Sequence, residues 1–168
     1  MQHIHRREAI RRLAVLVGGS LSASTVSGLL AGCKVDGNAS YAFLTLDAEE
    51  QRLLELLNQH RAANGRDPVV ACTSLNRSAQ LHSEDMRDQG YFDHTGRDGS
   101  SPSSRSCAAC FDSCTSTGIG ENIAAGNSDA ESTFDQWVNS PEHNANMLRE
   151  SYVVVGLGRA TGGGRYGT

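Results

Sequence analysis

The chain has 168 residues, a formal net charge of −4 at pH 7, 38% hydrophobic residues, five cysteines and one tryptophan, a length that suits one domain and not two. Its first 32 residues hold four arginines and one glutamate, so the remainder carries 11 basic against 18 acidic residues, a formal −7. With Lys34 the sole lysine and no basic cluster, such a surface repels phosphate backbones, which argues against nucleic acid as a partner.

The N-terminus reads as an address. A basic leader, MQHIHRREAIRR, precedes an apolar stretch from Leu13 to Ala31 that is diluted by Gly18, Gly19, Ser20, Ser22, Ser24 and Ser27. That is a poor membrane span and a good signal peptide, assigned to residues 1–32. Arg6-Arg7 ahead of a modest hydrophobic core fits twin-arginine export, and a general secretory signal with incidental arginines fits equally. Leu30-Ala31-Gly32-Cys33 has the form of a lipobox, which makes Cys33 the acylated first residue of the exported protein and residues 33–46 its lipidated tether. The rival is an uncleaved anchor or a free thiol at Cys33. Acylation would hold the chain at the outside of a bacterial membrane, each buried methylene contributing about 0.8 kcal/mol.

Asp47 with Glu50 three residues on is a capping box and opens a helix that Asn64-Gly65 stops. Leu53, Leu54 and Leu57 form its buried stripe, and His60 and Arg61 fall on its polar side or edge. After a Pro68–Val70 connector, Thr73 or Ser74 caps a second helix through Gln89. Its apolar stripe of Leu75, Ala79, His82 and Met86 makes His82 a hydrogen-bonded core histidine rather than a ligand. Gly90 ends this helix, and FDHTGRDG with His94 follows.

Residues 100–117 form a serine-rich loop with Cys107, Cys110 and Cys114; Cys72 completes a set of four. In an exported chain an even number favours disulfides, with three pairings open, although C-x2-C-x3-C is also a plausible metal-ligand spacing. One bond is expected to tie Cys72 to the loop, the other to close within it. GIGENIAAG with Glu121 comes next. Ser128 with Glu131 predicts another capping box, opening a helix with Ala130, Phe134 and Trp137 inward. Ser140-Pro141 starts a short helix over 141–148, the serine oxygen accepting from a backbone N–H. His143 lies in its first turn, where the positive end of the dipole favours the neutral, ligand-competent imidazole. Tyr152 to Gly158 is strongly β-forming, with Gly156 and Gly158 marking close approach of another segment. Thr161–Gly164 reads as a turn and Arg165–Thr168 as the beginning of a return strand.

Four stretches in register, LLNQHRAANG, HSEDMRDQGYFDHTGRDGSSP, GENIAAG, and SPEHNANML with YVVVGLG, resemble the CAP superfamily of cysteine-rich secretory proteins, antigen 5 and pathogenesis-related proteins, and within it the short bacterial SCP-domain members. The likeness covers residues 47–168, short of the length at which related chains finish their last strand. It implies an α+β fold, a three-layer α-β-α sandwich with a central antiparallel sheet, whose cleft gathers two histidines and two glutamates. By motif these are His94, His143 and Glu121. The second glutamate follows the tryptophan in animal and plant members, and Val138, Asn139 and Ser140 stand there instead.

Two imidazoles and a carboxylate with an open position would suit a divalent metal such as zinc. No G-x-S-x-G or H-E-x-x-H pattern accompanies them, and no base or oxyanion donor is assignable. The first functional reading is a membrane-anchored binding module whose cleft recognises an envelope component, a lipid or sterol-like molecule by likeness to other branches. The second is an extracytoplasmic metal-dependent hydrolase of peptidase type.

Overall fold

The computed structural model describes residues 45–162 apart from 112, 113 and 117; the signal peptide, Cys33, most of the tether and the return strand at 165–168 lie outside these residues. Helix α1 spans Ala48–Ala63 and carries the expected capping box: Asp47 accepts from the Glu50 N–H at 2.8 Å, and the Glu50 carboxylate accepts from the Asp47 N–H at 2.8 Å. Strand β1 is Val70–Ala71. Helix α2, Thr73–Gln89, ends on Gly90 in the left-handed conformation at φ +64°, as predicted. Its cap differs from expectation. Cys72 is the N-cap and makes no side-chain cap bond, while the Ser74 hydroxyl donates to the Cys110 carbonyl at 3.3 Å.

Within the serine-rich loop lies a helix absent from the sequence reading, α3, Pro102–Ala108, opened by Ser101 and Ser104 in a reciprocal cap with proline at the first turn. Helix α4, Ala130–Val138, starts one residue later than predicted: Asp129, not Ser128, accepts the Ser132 N–H at 2.7 Å. A carboxylate beside the helix N-terminus is the stronger acceptor. Helix α5, Pro141–Met147, follows Ser140 as expected, and strand β2 is Val154–Val155. No helix among the described residues is long and apolar enough to cross a membrane.

Leu57, Val69 and Met147 centre the core, with Leu54, Phe134, Trp137, Val138, Tyr152 and Val155 packed around them. Helix α1 lies on α4, α4 on α5, and α2 on α3. The antiparallel pairing expected of the sheet is not what the described strands form: β1 and β2 are parallel, Val70 opposite Val154 and Ala71 opposite Val155. Between them the described chain passes through four helices, a crossover that re-enters alongside β1 in the same direction, which a hairpin cannot do.

Beyond β2 the backbone runs along α2, whose side chains substitute for a neighbouring strand. Asn76 Oδ1 accepts the Leu157 N–H at 3.0 Å, and the Gln80 amide accepts the Arg159 N–H at 2.9 Å and donates to its carbonyl at 3.0 Å. The Ser83 hydroxyl donates to the Gly158 carbonyl at 2.9 Å. This is why Asn76 is buried on a helix whose apolar stripe alone would leave it in solvent.

Arg61 is another correction. Assigned to the polar side or edge of α1, it is 1% exposed. Its guanidinium donates to the carbonyls of Asp67, Met147, Arg149 and Tyr152 at 2.7–3.1 Å. His60 is half-buried, as read, with Nε2 2.8 Å from Asn144 Oδ1 and its ring edge-on to Phe134.

The cysteines of the loop pair differently from the expected scheme. Cys107 at the end of α3 bonds Cys114, their Cα atoms 5.2 Å apart, and Cys110 keeps an exposed free thiol. The bond closing within the loop is therefore present, and the expected tie from Cys72 to the loop is not: Cys107 and Cys114 hold each other across one tight turn, Cys110 is free, and Cys72 makes its disulfide outside the loop.

Candidate functional site

His94 is placed by the segment leaving α2. Tyr91 is buried and donates to the Asp85 carboxylate; burial, reinforced by Asp85, pushes its phenol up to about 12. The Asp93 side chain accepts the Thr95 N–H at 2.7 Å, a local turn that aims the intervening imidazole. From α2, His82 Nε2 lies 3.0 Å from the Asp93 carbonyl, so Nε2 carries the proton and Nδ1 is an acceptor. His82 is thus the buried structural histidine expected, 3% exposed. Its Nδ1 and Arg105 Nε are the buried side-chain atoms without a partner among the described residues.

Burial, and then the nearby Arg105 charge, hold the His82 pKa below its ordinary 6.5, against weaker opposition from Glu121, the Asp93 carbonyl and Asp85. A folded-state pKa below the unfolded one means the unfolded chain takes the proton first. The stability His82 contributes is present above about pH 6.5 and lost as pH falls below it. Tm is expected to drop between about pH 7 and pH 5, and His82→Gln to flatten that drop; an unaltered profile in the variant would refute this coupling.

His94 and Glu121 meet. Nδ1 of His94 is 2.8 Å from Glu121 Oε1, and Arg105 Nη2 donates to Glu121 Oε2 at 2.7 Å. Arg105 also donates through Nη1 to the Ser100 carbonyl at 2.9 Å. The Arg105 and Glu121 side chains are 11% and 19% exposed, whereas His94 is 51% exposed. The result is a chain of groups running from a shielded guanidinium through a carboxylate to an imidazole that reaches solvent.

His143 stands apart from this pair. Its Nδ1 is 2.8 Å from Ser140 Oγ, so the serine oxygen serves the imidazole and makes no bond to a backbone N–H, contrary to the cap predicted for it. Asparagine side chains tie its helix to the GEN segment: Asn122 Nδ2 donates to the His143 carbonyl at 3.1 Å, and Asn146 Nδ2 approaches the Glu121 carbonyl at 3.3 Å and Asn122 Oδ1 at 3.0 Å. Trp137 is core, as read, its indole N–H donating to the Ile123 carbonyl at 3.2 Å. Among the described residues no three His, Cys, Asp or Glu side chains gather as a metal-ligating group. Of the three predicted ligands, His94 and Glu121 are brought together, with one hydrogen-bond partner on each carboxylate oxygen of Glu121, and among the described residues no direct bond joins His143 to either.

Sequence reasoning missed Arg105, Asn122 and Asn146. Both asparagines lie inside quoted motifs but carry no chemistry by type. Arg105 had a usable signal, the Ser101-Pro102 helix start, which places it in the last turn of the short α3.

Short strands flanked by helices, with a His–Glu pair held between two connecting segments, define an α+β domain of the CAP or SCP kind. The chain belongs to this family: residues 54–168 match the model described as "CAP: Cysteine-rich secretory protein family". It is 34% identical over 124 residues to YkwD of Bacillus subtilis (strain 168), covering 71% of this chain and 45% of that protein. To the membrane protein YlbC of the same organism it is 29% identical over 109 residues, covering 65% and 31%. The chain thus spans less than half the length of these curated relatives. Among solved structures it resembles an extracellular SCP-domain protein of Bacillus anthracis str. Ames at 28% identity, TM-score 0.59, covering 66% of this chain and 36% of that one. It shares its fold with an outer surface protein of Borrelia burgdorferi at 18% identity, TM-score 0.58, covering 67% and 81%.

Proposed function

We propose that this chain is an extracytoplasmic binding module, held to a bacterial membrane by acylated Cys33, that uses the His94–Glu121 cleft to recognise an apolar envelope component such as a lipid. The observation that carries this reading is the state of Glu121. Bonded on one oxygen to His94 and on the other to Arg105, it is charge-compensated and not poised as a general base, while His94 presents an exposed imidazole on a rigid support. The extracellular and outer-surface descriptions of the structural relatives support an exported location.

The finer architecture belongs to the same proposal. Residues of the 118–127 and 151–162 segments line a cavity of about 510 Å³ and a smaller one of about 180 Å³. The Val153 and Val155 carbonyls accept from the N–H groups of Val70 and Cys72, so the alternate backbone groups of Val154 and Gly156 face the other way. A strand laid antiparallel between the two segments would complete a sheet sandwiched by α1, α4 and α5 on one side and α2 and α3 on the other.

Vesicles of phosphatidylglycerol and phosphatidylethanolamine test the recognition. Expected are cosedimentation of residues 45–168 with the vesicles and a shift of the His94 imidazole resonances, both lost in His94→Ala. No vesicle binding, or peptide hydrolysis abolished by His94→Ala, would overturn the reading.

A further inference from the structure

The cleft's carboxylate already holds a cation, and that cation is part of the chain. Arg105 projects from α3 with its side chain 11% exposed, donates at 2.7 Å to Glu121 Oε2 and is fixed from its other terminal nitrogen by the Ser100 carbonyl at 2.9 Å. The same short helix supplies Cys107, whose bond to Cys114 ties the C-terminal end of α3 to the loop beyond it. A guanidinium anchored at two of its nitrogens and shielded from water is costly to displace, since a metal taking its place on Glu121 would leave the guanidinium itself shielded and unpaired. His94 completes the arrangement from the opposite oxygen.

We propose that Arg105 is an internal counter-cation that occupies, on Glu121, the place a divalent metal would need, so that the native site keeps zinc off the carboxylate. Any zinc the native protein takes up is then confined to imidazole nitrogens, with Glu121 acting only to orient His94. Freeing Glu121 requires removal of one side chain, and the site that results has a carboxylate and an imidazole side by side, two of the donor types zinc accepts. The inference does not depend on what the cleft recognises, and it concerns Arg105, which no motif in the sequence picked out.

Two measurements test it, the first on the unmodified protein. With ¹⁵N-labelled arginine, excess zinc is expected to leave the Arg105 Nη resonances resolved and slowly exchanging, as a guanidinium pinned by Glu121 gives; their averaging on adding zinc would overturn the proposal, since it would show metal displacing Arg105 from the carboxylate. In the second, zinc calorimetry compares the native chain with Arg105→Met, which keeps an apolar stem in the shielded space, and with Arg105→Met combined with Glu121→Gln. Removing the guanidinium is expected to tighten zinc binding about tenfold or more, and the added Glu121→Gln to abolish the gain. Unchanged affinity in a folded Arg105→Met protein, checked by its circular dichroism melt, would refute the idea. If that variant does not fold, the Arg105 resonances of the native chain decide alone. Retention of the gain in the double variant would also overturn it, because the new ligand would then not be Glu121.

Discussion

Arg61→Ala is expected to cost roughly 3–5 kcal/mol, a large share of the ~5–15 kcal/mol by which domains of this kind are stable. The guanidinium is 1% exposed. It joins the end of α1 to the connector before β1 through the Asp67 carbonyl, and to the stretch between α5 and β2 through the carbonyls of Met147, Arg149 and Tyr152. Burial lowers its pKa, yet a guanidinium stays ionised, so its charge is balanced by the oriented dipoles of four carbonyls. Alanine would strand those oxygens and open a cavity beside Met147. Lysine would not restore them, because a single ammonium cannot present the planar fork of donors. Urea unfolding measures the effect as a fall in midpoint at unchanged slope. A loss below about 1 kcal/mol would show that water replaces the guanidinium without penalty.

Gly158→Ala is the second. A methyl group there would sit 2.1 Å from the Gln80 nitrogen, 2.4 Å from the Ala79 carbonyl carbon and 2.5 Å from the Gln80 Cα. These are backbone atoms in the middle of α2 and cannot swing aside. Relief would mean lifting the 156–159 segment off the helix and breaking the bonds that Asn76, Gln80 and Ser83 make to it. The expected loss is at or above about 3 kcal/mol, the upper end for overpacking. Gly156→Ala meets Leu75 in the same way, at 2.3 Å from its carbonyl carbon. Gly118→Ala, with nothing within 4 Å of the added carbon, is the matched control and is expected within about 0.5 kcal/mol of the parent. Comparable stability of the Gly158 and Gly118 variants would mean that the strand segment is not seated on α2 as described.

Between these two residues lies the contrast in what could be read from the chain. Gly156 and Gly158 declared themselves, because a glycine repeated at period two in a β-branched run has little use other than close approach. Arg61 did not. Its spacing on α1 assigned it an edge position, and nothing nearby in sequence announces partners that lie as far as 91 residues away. Arg105 and Glu121 are separated by 16 positions and His94 and Glu121 by 27; the His–Glu meeting came from family resemblance, and the arginine between them came only from the fold. Asp129 displaced Ser128 as the α4 cap for a smaller reason: both have capping side chains, and the carboxylate took the Ser132 N–H while the Ser128 hydroxyl donates to Asp129 itself.

The sequence alone determined the locally governed parts: where α1, α2, α4 and α5 run, the left-handed stop at Gly90, the burial of His82, and membership of the CAP family through four motifs in order. Those depend on interactions three or four residues apart or on residue types repeated in register. Only the tertiary structure decided the parallel pairing of β1 with β2, the Cys107–Cys114 bond, the burial of Arg61 and the cation resting on Glu121. Each of these is a choice among several chemically equivalent partners. Chain crossover and packing make that choice, by bringing one donor, one thiol or one strand edge within bonding distance and leaving the others out of reach.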